Sequence, residues 1–355
     1  MAYDLTKPLV IGISSRALFD LEEENQIFEQ QGLAVYEAYQ IEHENDILAK
    51  GSAFPLVKAF LDLNQLQEQR LVEVIIMSRN SPNNSLRIFN SIEAYGLDIT
   101  RAALTGGAPI APYLQPFKTD LFLSAHRPDV EQAINSGIAA GMILTGSHCG
   151  ATDCQVSQIK IAFDGDAVLF AADSERIFQK SGLQAFTDHE RSKANIPMEE
   201  GPFANFLKTI AHVQSQFKDR ESSPIRTALV TSRSAPAHER ENADVPMAEG
   251  PFAKFLKTIA HIQSQFTDRE SAPIRTALVT SRNAPAHERA IKTLRQWGVR
   301  VDEAFFLGGV RKQEVLSAFG AHIFFDDQAA HAEPASKFVP AAVVPYAEGQ
   351  DPMKK

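Results

Sequence analysis

VEVIIMSRNSP at residues 72–82 and RTALVTSRNAP at residues 275–285 share one build: an apolar run, then SRN, a small residue and proline. A short apolar run that stops at polar turn formers reads as a strand covered on both faces, followed by a loop at its carboxyl end. Each copy continues into a helix-like segment, then into TGG (105–107) or LGG (307–309), then into a second apolar strand, LFLSA (121–125) or IFFDD (323–327). The last two matches share an offset of 202 residues. Nearer the start of each half, ISSRALF (13–19) aligns with FDGDAVL (163–169) at an offset of 150. Strands alternate with helical segments such as AIKTLRQW (290–297), where Ala290, Ile291, Leu294 and Trp297 share one face. That order implies parallel sheets with crossover helices. Two related α/β halves are expected, residues 1–150 and 151–355.

The two offsets differ because the second half carries extra chain. Residues 189–237 align without a gap with 238–286, and 39 of the 49 positions are identical. The triplet HER stands at 189, 238 and 287, so the unit begins with the same residues that follow it. Each unit reads as one helix, from Phe203, Phe206, Leu207, Ile210, Val213 and Phe217 at helical spacing, and one strand, TALV. Two copies do not make a solenoid, which normally needs three or more, so the second reads as an insertion.

PIRTALVTSR therefore occurs twice, at 224–233 and 273–282. Identical side chains cannot choose between the two, but connectivity can. The later copy runs through NAPAHER into the amphipathic AIKTLRQW, as the first-half strand runs through NSPNNS into LRIFNSIEAYG. The earlier copy runs into HERENADVPMAEGP, which is polar and broken by proline. This assigns Thr280, Ser281 and Arg282 to a site and leaves Thr231, Ser232 and Arg233 spare. The spare helix and strand carry an apolar face that needs cover at a sheet edge, over the site or across a dimer, so a homo-oligomer stays open.

The bulk properties set the class of partner. With 44% hydrophobic residues in 355, the chain has ample material for a core, and its net charge of −9 argues against a nucleic-acid polymer as partner. No basic segment followed by a long apolar core opens the sequence, and no apolar run approaches the roughly 20 residues of a membrane span, so a cytoplasmic protein without a membrane partner is expected. Cys149 and Cys154 read as two reduced thiols, because a structural zinc site normally takes four such ligands.

In open parallel sheets, ligands bind beyond the carboxyl ends of the strands. Asp164 and Asp166 end an apolar strand in IAFDGDAVLF, Asp326 and Asp327 end another in HIFFDD, Lys312 opens a helix between them, and Thr280 ends the strand before that. Singly, each has a plain structural reading, as an Asp-Gly turn, a turn threonine, a surface lysine or a capping acid. In this order they form a set suited to phosphoryl transfer. A phosphate monoester carries nearly two negative charges and repels nucleophiles unless a hard cation offsets them.

FDGDAV, LVTSR, the lysine of VRKQEV and FFDD resemble the four motifs of the haloacid dehalogenase-like phosphohydrolases. More narrowly, SSRALFD, EHEN, LTGG, AFDGDAVLF, GPFAKFL, LVTSR, TLRQWG and IFFDD are similar to the cytosolic 5'-nucleotidase type I family. The resemblance runs from residue 8 to 347 and leaves the extra 49-residue unit without a counterpart. It implies two Rossmann-like halves and an Mg²⁺-dependent hydrolase acting on nucleoside 5'-monophosphates, AMP commonly among them. By the same resemblance Asp164 is the nucleophile and Asp166 the general acid and base. Thr280 and Lys312 steady the phosphoryl group, with Ser281 and Arg282 beside it. Asp164, Asp166 (through its carbonyl), Asp326 and Asp327 hold the metal.

The first half has lost that chemistry. Ser14 stands where Asp164 does, Arg16 where Asp166 does, Ile110 opposite Lys312, and Ser124 with Ala125 opposite Asp326 and Asp327. One active site is expected, with the first half as scaffold, oligomer surface or nucleotide-binding partner. Two other readings stand: a phosphatase for another small phosphomonoester, and a catalytically idle nucleotide-binding or assembly protein disabled by the duplication. Phe170, Phe186 and Arg282 are candidates for contact with the base or an anion.

Overall fold

The computed structural model describes residues 4–66, 70–145, 159–164, 168, 181, 225–230, 277–280, 303–306 and 312–346. The chain divides into two compact units, Met1–Thr152 and Asp153–Lys355.

In the first unit, β1 (Leu9–Ile13) is followed by a short antiparallel ladder of β2 (Phe19–Asp20) with β3 (Ala49–Lys50). Then come β4 (Val72–Ser78), β5 (Arg101–Leu104), β6 (Leu121–Ser124) and β7 (Ala139–Ile143). The five longer strands form a parallel sheet in the order β7-β6-β1-β4-β5. β1 and β4 are buried along their whole length, as largely apolar runs demand when helices cover both faces of a sheet. Burying each Ile, Leu or Val contributes about 1.5–3 kcal/mol. Glu73, the one charge within the β4 run, has no exposure and is held by Arg70 (2.7 Å) and Arg101.

The second unit contributes β8 (Ile159–Phe163), β9 (Ile225–Val230), β10 (Ala277–Thr280), β11 (Glu303–Phe306), β12 (Ile323–Asp326) and β13 (Ala341–Val343), all in parallel pairings. β8 lies between β9 and β12, and β13 lies outside β12. Both units thus place their first strand centrally, the next on one side and the last two on the other. A chain that changes sides in this way leaves a crevice at the carboxyl ends of the first strand and its late neighbour. The hydrogen bonds repeat too: Ser14 N donates to Leu123 O (2.9 Å), and Asp164 N donates to Phe325 O (2.7 Å).

The strand beside β8 differs from the expectation drawn from connectivity. β9, from the first 49-residue unit, pairs with β8 from Ile159↔Ile225 to Phe163↔Leu229. β10, from the second unit, lies outside β9 and pairs like with like, Ala277↔Ala228, Leu278↔Leu229 and Val279↔Val230. Both β9 and β10 also pair with β11 at Ala304 and Phe305. The assignment of the later copy to the place beside β8 is corrected accordingly. With identical side chains on offer, the copy closer along the chain closes the shorter loop at the lower entropic cost. The helical segments 203–217 and 290–297, and both cysteines, lie outside the described residues.

His322 supplies a stability prediction. Its Nδ1 accepts the Lys160 N–H (2.9 Å), and burial together with the Lys160 charge lowers its pKa to about 4. Between that value and the ordinary histidine value the unfolded chain binds a proton that the folded chain refuses. Stability is therefore whole above pH 6.5 and falls as pH drops toward 4, by on the order of 2–3 kcal/mol. Urea midpoints measured at pH 7 and 4.5 should converge in His322→Gln relative to the unaltered chain.

Candidate active site

Asp164 is the first residue past β8 and Asp326 the last of β12, and these strands are parallel neighbours, so both carboxylates emerge at the same edge of the sheet. The Asp164 N–H donates to Phe325 O (2.7 Å), which carries the pairing one step past the end of β8 and draws Asp164 against Asp326. Beneath them the rings of Phe163 and Phe325 stack at 5.2 Å and 12°. An apolar floor of this kind withholds water and strengthens every charge interaction above it.

Lys312 opens the helix Lys312–Phe319, and its Nζ donates to Asp164 Oδ1 (2.9 Å) and Asp326 Oδ2 (2.7 Å). Asp326 Oδ1 accepts the backbone N–H of Gln328 (2.9 Å), while His331 Nδ1 lies 3.5 Å from the same oxygen. Asp327 Oδ2 accepts the Tyr346 hydroxyl. All four charged groups are buried: 5% of Asp164 and Lys312 is exposed, 8% of Asp327 and none of Asp326.

Among the described residues the charges do not balance, since three carboxylates face one ammonium. Burial pulls the Lys312 ammonium down, but Asp164 and Asp326 more than reverse this and hold its pKa above the usual lysine value. Burial pushes Asp326 up, and Lys312, with His331 beside it, wins and keeps it below the usual carboxylate range. At Asp327 the balance goes the other way: burial, then the neighbouring charges of Asp326 and Asp164, outweigh the Tyr346 hydroxyl and Lys312 and raise its pKa well above the ordinary value. Among the described residues its buried Oδ1 finds no hydrogen-bond partner. One carboxylate oxygen from each of Asp164, Asp326 and Asp327 lies within 4.8 Å of the others. Three hard oxygen donors, one of them unpartnered, with an excess of negative charge, fit a hard divalent cation such as Mg²⁺.

Of the residues singled out in the sequence, Asp164, Lys312, Asp326 and Asp327 come together. The backbone of Thr280 ends β10, one strand removed from β8. Asp166, Ser281 and Arg282, with Phe170 and Phe186, lie outside the described residues. Three groups went unnoticed in the sequence. Gln328 was legible in retrospect, because a strand-end aspartate commonly accepts the N–H two residues on. Tyr346 and His331 carry no motif, and Tyr346 reaches Asp327 because β13 lies beside β12 and Val344 N then donates to Asp326 O (2.9 Å).

A family profile for 5'-nucleotidases matches this chain over residues 1–241 and again over 237–351, the two stretches meeting where the first 49-residue unit gives way to the second. Human cytosolic 5'-nucleotidase 1B is 34% identical to it over 338 residues, which are 93% of this chain and 47% of the relative. The chain thus spans about half the length of the curated relative it matches. No solved structure matches it.

Proposed function

Since the chain belongs to the 5'-nucleotidase family, we propose that it is an Mg²⁺-dependent hydrolase that releases phosphate from nucleoside 5'-monophosphates, AMP among them, through an aspartyl-phosphate on Asp164. The observation that carries the reading is the buried convergence of Asp164, Lys312, Asp326 and Asp327 at neighbouring strand ends. In this reading the protein works in the cytosol, where its named relative works.

Asp164 Oδ attacks phosphorus in line while Asp166 gives a proton to the departing ribose oxygen. Asp166 then takes a proton from the water that cleaves the acyl phosphate. Lys312 keeps Asp164 ionised and placed, and it offsets charge on the transferring group. Asp164, Asp326 and Asp327, with the Asp166 carbonyl, would hold Mg²⁺, whose charge draws in the phosphate dianion. The hydroxyl that steadies a phosphoryl oxygen belongs to whichever repeat strand fills the place beside β8. β9 fills it here, which gives the role to Thr231, the next residue in sequence, and Thr280→Ala and Thr231→Ala compared in parallel decide between the two.

Phosphate release from AMP, IMP, CMP and sugar phosphates, with Mg²⁺ and with EDTA, tests the reading. Rapid release from the mononucleotides that EDTA abolishes is expected. Preference for sugar phosphates would favour a different phosphomonoester, and no release from any substrate would leave an idle binding protein. Tyr346 adds a finer test, because partners of a metal ligand typically alter metal affinity or activity by about 10–100-fold when removed. Tyr346→Phe should raise the Mg²⁺ concentration for half-maximal activity about 10-fold and change KM for AMP little.

A further inference from the structure

Beyond the carboxyl ends of β1, β4 and β6, the first unit holds a cavity of about 490 Å³, within the usual range for small-molecule sites. It occupies the place on its own sheet that the acidic cluster occupies on the second. Ser14 repeats the backbone bond of Asp164, and Ser124 Oγ accepts the His126 N–H (3.1 Å) as Asp326 accepts that of Gln328 (2.9 Å), while Ser78 ends β4, the strand beside β1 as β9 is the strand beside β8. Two hydroxyls thus replace two carboxylates. The hard anionic ligands that a magnesium ion requires are missing from those positions.

In their place the inner end of the cavity is rich in donors. Ser14 Oγ accepts the N–H groups of Ala17 (3.3 Å) and Ala125 (3.4 Å), so its own proton is left to donate, as is that of Ser124. Arg16 gives Nη2 to Glu22 (2.8 Å), but among the described residues its buried Nε finds no hydrogen-bond partner. Gly107 O fixes Arg79 through Nε (3.0 Å) and Nη2, leaving Nη1 with Asp129 at 3.7 Å, beyond hydrogen-bond range. Three acids line the cavity: Glu24 is engaged by Arg87 (2.6 Å), Glu37 Oε1 accepts the Ser81 hydroxyl (3.3 Å), and Asp129 meets His126 through Oδ2 (3.0 Å), with Oδ1 facing Arg79 Nη1 at 3.7 Å. Farther out, Phe28 is 47% exposed and meets Tyr36 edge to face at 5.8 Å, a surface on which a planar ring can lie. Asn84 also lines the cavity, and among the described residues its buried Oδ1 is an unpartnered acceptor.

We propose that this cavity is a second nucleoside monophosphate site, working without a metal, with the phosphate at Ser14, Ser124, Arg16 and Arg79 and the base against Phe28. It holds its ligand uncleaved, because a serine stands where the second unit has Asp164. The choice of nucleotide rests on the activity proposed above; the donor-rich end and the aromatic wall do not.

Calorimetric titration of the full chain with AMP, inorganic phosphate and adenosine in EDTA tests this. One AMP per chain is expected to bind, equally well in Asp164→Asn. Arg79→Gln should weaken AMP and phosphate about 10-fold or more, and Phe28→Ala, at an exposed position, should weaken AMP and adenosine about 10-fold while sparing phosphate. No binding of AMP in EDTA would overturn the proposal, as would binding lost in Asp164→Asn yet kept in both Arg79→Gln and Phe28→Ala. Hydrolysis with Mg²⁺ but no binding in EDTA would refute this site alone; binding in EDTA with no hydrolysis would refute the catalytic reading alone.

Discussion

Asp164→Asn should lower the turnover of AMP by about 10⁴-fold or more while leaving the fold intact, because an amide of the same shape cannot form the acyl phosphate. The fold survives for a reason visible in the charges. Three buried carboxylates share one lysine, so deleting one anion relieves repulsion on Asp327 and leaves Lys312 its bond to Asp326 (2.7 Å). The thermal midpoint in EDTA should stay level or rise by a few degrees, as often happens when a functional site gives up its strain. Acid-quenching the reaction with phosphate-labelled AMP gives a second reading: label should stay on the unaltered protein and be missing from the variant. A variant that kept more than about one hundredth of the activity would remove Asp164 from the role of nucleophile.

What the sequence disclosed about this site is what can be read one strand at a time. An apolar run that ends in an aspartate says that a carboxylate stands at a strand's carboxyl end, and Asp164, Asp326 and Asp327 were legible on that basis. The matching offsets of Ser14 with Asp164 and of Ser124 with Asp326 were legible too, and the repeated backbone bonds of the two units follow them. Pairings across long separations were not. Tyr346 reaches Asp327 because of where β13 docks, and no local pattern announces that docking. The choice between the repeated strands is harder still, since β9 and β10 carry the same side chains and both pair with β11. Where two segments offer equal packing, loop entropy decides, and that term leaves no mark on the residues themselves. The first-unit cavity shows a third limit. Its serines look like lost catalytic residues in an alignment, and the donors they present are visible once the backbone N–H groups that feed them are placed.

Lys312→Met should give the largest change in stability of any single substitution at the acidic cluster, and one that depends on metal. The ammonium is buried with two direct carboxylate partners at 2.9 and 2.7 Å, so its removal strands charge in an apolar setting. Breaking a buried ion pair from one side typically costs about 3–5 kcal/mol. A divalent ion bound among the same carboxylates can supply the missing positive charge, and it no longer competes with the lysine for Asp164 and Asp326. Urea unfolding in EDTA should therefore show a loss of that size, while millimolar Mg²⁺ should restore the variant more than it stabilises the unaltered chain. Activity should not return with stability, because the ion cannot stand in for the lysine beside the nucleophile; turnover should stay about 10²–10³-fold down. Equal losses of stability with and without Mg²⁺ would mean that the three carboxylates hold no ion, and the metal-dependent chemistry built on them would fall with it.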